Sequence, residues 1–199
     1  DRGMDEIVAW SFTAPATLAK LRLGDAPTLA LANPLSEDHS VLRPLLLPGL
    51  LDAARHNAAH GAAGLALFES AHVYAPAGPL EAPAGSPAGA TPAAERHHLA
   101  GLLTESAPAT WRSPAGAADY FAAKGYAEAL LAVAGLELAV EPLRDRAYLH
   151  PGRAAVALAL APGGTEPVEV GWIGELHPLV AGEWDLDGAA AFELDADRL

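Results

Sequence analysis

The strongest constraint on what this chain can fold into is a stretch that cannot fold by itself. Residues 75–94 hold 8 Ala, 5 Pro and 3 Gly among 20, a composition that cannot bury a core and offers few side chains to a helix or a sheet. On either side lie strand-like runs, 64–74 (with Leu65, Leu67, Phe68, Val73 and Tyr74) and 96–103 (with Leu99, Leu102 and Leu103). The two are expected to pair as one long antiparallel hairpin, with 75–94 as a mobile loop at its tip and not as a domain boundary.

A hairpin of this size predicts an antiparallel sheet, and the rest of the chain agrees. Further strands are expected at 28–32, 136–142, 154–161, 168–176 and 190–194, with a turn at Ala161-Pro162-Gly163-Gly164-Thr165. Three helices are expected between them. Thr13-Ala14-Pro15 opens a short one through Leu18 and Leu21 to Gly24; Pro48 opens a second, running to His60 with Gly61 as its left-handed stop. The third starts at Asp119, carries Tyr120, Ala123, Ala127, Leu130, Leu131 and Ala134 at helical spacing, and ends at Gly135. Strands separated by single helices and hairpins give an α+β domain, an antiparallel sheet flanked by helices. A doubly wound parallel sheet is excluded, because helices do not alternate with strands and no glycine-rich phosphate turn is present.

All 199 residues fit one domain, 1–199, large enough to hide about 70% of its unfolded surface. The absence of cysteine removes disulfides, zinc-thiolate sites and a cysteine nucleophile, and makes cytoplasm the default expectation. No apolar run reaches the roughly 20 residues of a membrane span. Twelve basic against 25 acidic residues leave 12 − 25 = −13, a poor balance for holding a phosphate backbone alone. Lys20 and Lys124 are the only lysines, which reads as coding bias. The start at Asp1 and the stop at Leu199 read as the ends of an excised piece.

Several motifs together carry a family resemblance. Residues 33–51, from Asn33-Pro34-Leu35-Ser36-Glu37 through Leu42-Arg43-Pro44-Leu45-Leu46-Leu47-Pro48-Gly49-Leu50-Leu51, are similar to a signature of the bacterial phenylalanyl-tRNA synthetase beta subunit. Asp5 to Phe12 resembles the entry to that family's module, Phe68-Glu69 through Val73-Tyr74 its strand, and Asp119-Tyr120-Phe121-Ala122-Ala123-Lys124-Gly125 its aromatic-then-lysine helix. Tyr148 to Arg153, Gly171 to Pro178 and Phe192-Glu193-Leu194-Asp195 follow in the family's order. The resemblance implies a class II aminoacyl-tRNA synthetase-like core, a degenerate copy of the alpha subunit's catalytic domain. It further implies an assembly of two alpha and two beta subunits that joins phenylalanine to tRNA with ATP and Mg2+. In that family alpha holds the active site and this module packs against it, with no cofactor in the fragment itself and weak or no nucleic-acid binding alone. Editing, magnesium-binding and anticodon-reading domains lie outside these residues.

The residues themselves argue against adenylation here. Class II enzymes place arginines on F-R-x-E and G-x-G-x-x-R motifs to stabilise charge at the ATP α-phosphate; this chain has neither, and His72 stands where the beta family often carries arginine. No catalytic, cofactor-binding or metal residue is therefore assigned. Candidate partner-interface residues are Arg43, Leu47, Leu50, Leu51 and Arg153, because the leucine run is long for a half-exposed segment and Arg153, beside a glycine turn, could pair with a carboxylate across a subunit boundary. Pairing within the chain is the plainer role for Arg153.

Rival readings rest on histidines and arginines. A small hydrolase or ligase would use His150 or His177 with Asp119 or Glu175 as orienter, whereas a His-Pro step more simply makes a turn with the imidazole bonded to backbone. His56 and His60 have metal-chelating spacing but Asn57 between them and no third ligand; a solvated helix face is expected. His97 and His98 are adjacent on a strand and point apart. A tRNA-contacting face would require Arg43, Arg55, Arg144, Arg146 and Arg153 to cluster. The isolated module is also expected to self-associate if its alpha-facing surface is apolar.

Overall fold

The computed structural model describes residues 3–24, 26–77, 93–107, 110–112 and 114–199. Its elements run β1 (Asp5–Glu6), β2 (Phe12–Thr13), α1 (Pro15–Lys20), β3 (Val41–Leu42), α2 (Leu47–Ala59), β4 (Ala66–Pro76), β5 (Ala93–Leu103), β6 (Glu105–Ala107), β7 (Gly116–Ala117), α3 (Tyr120–Val133), β8 (Glu137–Pro142), β9 (Leu149–Leu160), β10 (Val168–Leu176), α4 (Pro178–Glu183) and β11 (Ala190–Asp195). Seven strands form the main sheet in the order β1-β4-β5-β11-β10-β9-β8, antiparallel throughout except for β1 beside β4. The class is α+β, as expected.

The hairpin is the spine of this sheet. β4 and β5 pair from Ala66↔Leu103 to Pro76↔Ala93, so Ala75, Pro76, Ala93 and Ala94, expected in the loop, belong to the strands; residues 78–92 lie outside the described residues. Proline is tolerated at that end because it closes the pairing and interrupts no ladder interior. β11 then inserts against β5, with Phe192↔Gly101 in register. Glycine at 101 makes room for that ring, since a Cβ there would lie 2.5 Å from it and force Phe192 to shift.

β11 is buried along its whole length and divides the core by alternation. Ala190, Phe192 and Leu194 meet α3 through Ala123, Ala127 and Leu131, whose four-residue spacing puts them on one helical face. Asp119 caps that helix by accepting from the Ala122 amide at 2.8 Å, and Gly135, at φ 75°, follows its end. Ala191 faces the opposite layer, built from α1, α2 and α4 over Leu67, Leu102 and Trp172.

In that second layer the leucine run departs from expectation. Leu47, Leu50 and Leu51 are 1, 0 and 0% exposed, packed within this chain among Leu18, Leu67, Leu102 and Trp184. Their assignment to a partner surface is overturned, because the chain's own sheet and helices cover them. Leu45 and Leu46, which precede the helix, enter the same core.

Three local expectations also change. Residues 28–32 form no strand and contribute one bridge, Ala30 to Val41. The Leu176–Asp185 region contains α4, capped by His177 and tied to α2 by Trp184 Nε1 donating to Asp52 Oδ1 at 2.7 Å. The His150-Pro151 step, expected as a turn, lies within β9, which starts at Leu149: residues 150–153 bulge opposite Glu175, between the pairs Gly174↔Ala154 and Leu176↔Leu149. Such a bulge accepts proline without losing a ladder bond.

Candidate functional site

Two regions carry the unusual chemistry of this fold: a cleft on the α2 side of the sheet, and the amino-terminal arm that crosses its edge.

The cleft, of about 380 Å³, is lined by Tyr148 and Trp172 at its base and by Arg96, Arg146 and Arg198 at its rim. Alternation along β11 aims Glu193 and Asp195 at it. Glu193, 2% exposed, bonds His98 Nδ1 through Oε1 at 2.7 Å, and its Oε2 accepts the Leu46 amide at the start of α2 at 3.1 Å. Asp195 pairs with Arg96 at 2.8 Å, while Arg198 donates to the Glu169 carbonyl at 2.6 Å. Each buried carboxylate therefore already has a basic partner. Glu193 and Asp195 are both committed to these partners, which leaves neither carboxylate free to hold Mg2+.

Burial, followed by the nearby Glu193 charge, pushes the Tyr148 hydroxyl well above its ordinary range. The native chain thus holds this proton more tightly than the unfolded chain. Stability from this group is complete below the unfolded value of about 10 and falls as pH rises above it, by up to about 1.4 kcal/mol per pH unit. Urea titrations at about pH 9 and about pH 11 should show the fall in the wild type and a shallower one in Tyr148→Phe. Identical slopes would mean that the phenol ionises as freely in the folded chain as in the unfolded one.

The histidines do not form a catalytic set. His150 Nδ1 accepts from the Gly152 amide at 3.1 Å and His177 Nδ1 from the Leu179 amide at 3.2 Å; among the described residues neither ring bonds an acidic group. Asp119 caps α3, and Glu175 accepts from the Tyr120 amide and bonds Arg153, so both proposed orienters are used elsewhere. His60 Nδ1 bonds the His56 carbonyl at 2.7 Å. His97 meets Ser70 Oγ at 2.8 Å and His98 meets Glu193, and no acidic side chain bonds the His97 ring among the described residues.

The arm reads Ile7-Val8-Ala9-Trp10-Ser11 and lies against β4. Ile7 donates to the Phe68 carbonyl at 2.9 Å, and Ala9 donates to Glu69 Oε1 at 3.0 Å. The same oxygen accepts from Arg43 Nη1 at 2.9 Å, while Arg43 Nε donates to the His72 carbonyl. Between these fixed points Val8 and Trp10 stand 91 and 73% exposed, and Leu35 is fully exposed. Beside Trp10 opens a hollow of about 620 Å³ lined by Val8, Phe12, Leu42 and Tyr74. Large apolar side chains held outward over an apolar hollow are a surface built for contact.

The structure separates the residues expected at an interface. Arg43 is 4% exposed and belongs to the buried pair with Glu69, so it is neither an interface side chain nor part of a basic tRNA face; its pairing partner lies inside this chain. Arg153 is exposed and bonded to Glu175, the intrachain pairing that was the plainer reading. Val8, Trp10 and Leu35 were not singled out from sequence, where only the alternation of large and small residues across 8–12 hints at a one-sided arm.

The family described as "Phenylalanyl tRNA synthetase beta chain CLM domain" matches residues 1–196. The phenylalanine–tRNA ligase beta subunit of Moorella thermoacetica is 37% identical over 199 residues, covering 97% of this chain and 23% of that protein. That of Symbiobacterium thermophilum is 42% identical over 192 residues, covering 94% and 20%. The chain therefore spans under a quarter of the length of these curated relatives. Among solved structures, PylSc of Desulfitobacterium hafniense, a pyrrolysyl tRNA synthetase, is similar with a TM-score of 0.63 and 17% identity, covering 98% of this chain and 59% of that one; this likeness shows the class II synthetase fold. On the family match and these identities across nearly its full length, the chain belongs to the phenylalanyl-tRNA synthetase beta chain CLM-domain family.

Proposed function

We propose that the chain is the catalytically silent, synthetase-like module of a phenylalanine–tRNA ligase beta subunit and acts as scaffold for the alpha subunit, which carries the active site, in a cytoplasmic assembly of two alpha and two beta subunits. ATP and Mg2+ serve the chemistry at alpha, and tRNA is bound by the whole enzyme. No helix among the described residues is long and apolar enough to cross a membrane.

The observation that carries this reading is the outward display of Val8 and Trp10 on an arm fixed to the sheet edge. With both buried carboxylates of the cleft paired, the arm offers an apolar surface beside an apolar hollow for a partner. A small hydrolase or ligase centred on His150 or His177 lacks a paired base.

The test is to mix the chain with the alpha subunit of the same organism and follow complex formation by size exclusion with light scattering. Binding is expected, and Trp10→Ala should weaken it at least about 30-fold, since central tryptophans at interfaces are worth about 2 kcal/mol or more. Full affinity in Trp10→Ala and Val8→Ser alike would move the interface elsewhere.

A further inference from the structure

The Arg43–Glu69 pair presents a physical puzzle. Both side chains are almost wholly buried, and burying two charges commonly offsets most of their attraction. The geometry makes the balance worse, because among the described residues Glu69 Oε2 has no hydrogen-bond partner while Oε1 serves both Arg43 and Ala9. A pair of this kind is poor at stabilising a fold, so its contribution is sought elsewhere.

Its connections indicate one. Through Glu69 and Arg43, three segments distant in sequence meet: the arm at Ala9, the segment entering α2, and β4. The Arg43 amide donates to the Ser11 carbonyl at 3.0 Å and its carbonyl accepts from Tyr74 at 2.9 Å, so the same residue grips the arm and β4 by its backbone. Ala9, the bonded arm residue, lies between the two exposed side chains. It rests on Gly49, where a Cβ would come within 2.6 Å of the Ala9 methyl, so glycine at the start of α2 gives the arm its seat.

We infer that the buried Arg43–Glu69 pair is a positioning device that holds the arm, and with it Val8 and Trp10, in one binding-competent conformation. Its contribution lies in pre-organising that surface for the partner, and very little in the stability of the domain. This rests on the reading of the arm as the alpha-facing surface. Pre-organisation raises affinity by removing the ordering entropy otherwise lost on binding.

The experiment replaces the pair by apolar residues of similar length, Arg43→Met with Glu69→Leu, which removes both charges and leaves neither one stranded. Gly49→Ala serves as a second variant that displaces the arm while keeping the pair. Three quantities are read on the 199-residue chain: thermal midpoint, hydrogen exchange at amides that Glu69 does not touch, namely Ile7 and position 43, and affinity for the alpha subunit. In the double variant the midpoint should stay within about 5 °C of wild type, exchange at both amides should rise at least about 30-fold, and affinity should fall at least about 10-fold. Gly49→Ala should reproduce the faster exchange and weaker binding. A midpoint as depressed as that of Arg43→Met alone would overturn the inference by making the pair a stability element, and wild-type exchange at both amides would overturn it by freeing the arm from the pair. Faster exchange with undiminished affinity would overturn the role in assembly, whereas failure of the arm reading itself would show separately as full binding by Trp10→Ala.

Discussion

Leu50→Asn or Leu51→Asn is expected to unfold the chain, with loss of partner binding only as a consequence. Both leucines are completely buried in the layer between α2 and the sheet. Truncating a buried leucine costs about 2–5 kcal/mol through lost contacts and the cavity left behind. An amide placed there adds about 1–3 kcal/mol, because its donors and acceptor lose water and gain no partner. The sum of about 3–8 kcal/mol is comparable with the entire 5–15 kcal/mol stability of an ordinary domain. Circular dichroism melts of the isolated chain decide the matter without any partner present. If the Asn variants melt with the wild type yet fail to bind the alpha subunit, the leucines face outward and the packing described here is wrong. If the melt collapses, the leucine run is core, and the search for the interface belongs on the arm.

That run also shows where local pattern stops being informative. Five leucines within 45–51 are more than one face of an amphipathic helix can hold, so an uncovered side was the natural inference from sequence. The chain avoids it by starting α2 at Leu47 and inserting Leu45 and Leu46 from the preceding segment. Other elements were legible because their signals are local. Asp119 and Gly135 bracket α3, and the runs flanking the proline-rich stretch pair as a hairpin. α4 escaped notice because it has six residues and starts on a His-Pro step that reads equally well as a turn. β1 comprises two residues whose pairing partners lie 62 positions away.

The candidate site was the least legible part, for the same reason. Glu69, Glu193 and Asp195 look in sequence like ordinary polar positions of half-exposed strands; only the sheet order and the helices above it make them buried. The partners Arg43 and Glu69 are separated by 26 residues, and His98 and Glu193 by 95. Exposure of Trp10 is likewise a property of what does not pack on it. Motif order named the family, while the interior charge pattern and the arm required coordinates.

The second large effect is expected at Gly171. Here β10 passes so close to β11 that a Cβ would lie 2.0 Å from the Glu193 carbonyl oxygen and 3.0 Å from Leu194 Cα. Both are rigid backbone atoms of a strand buried along its whole length, so no side-chain rotation relieves the clash. The glycine also has φ 155°, a value L side chains avoid, at the bulge that breaks the register between Glu169 and Gly171. Gly171→Ala must therefore displace β11 itself, and with it the carboxylate of Glu193 that holds His98 and the start of α2. Overpacking that forces backbone apart costs about 1–3 kcal/mol, and the strained φ adds about 1–3 kcal/mol, so urea unfolding should give a loss of about 2–6 kcal/mol. Gly125→Ala provides the control with opposite sign. It lies within α3 with open space where its Cβ would be, and the same substitution there should stabilise by about 0.5–1 kcal/mol through helix propensity. Equal behaviour of the two variants would show that β10 and β11 do not approach as closely as the fold requires. Opposite signs would show that one residue type serves two ends: at position 171 it allows the contact that aims Glu193, and at position 125 it confers nothing that alanine would not improve.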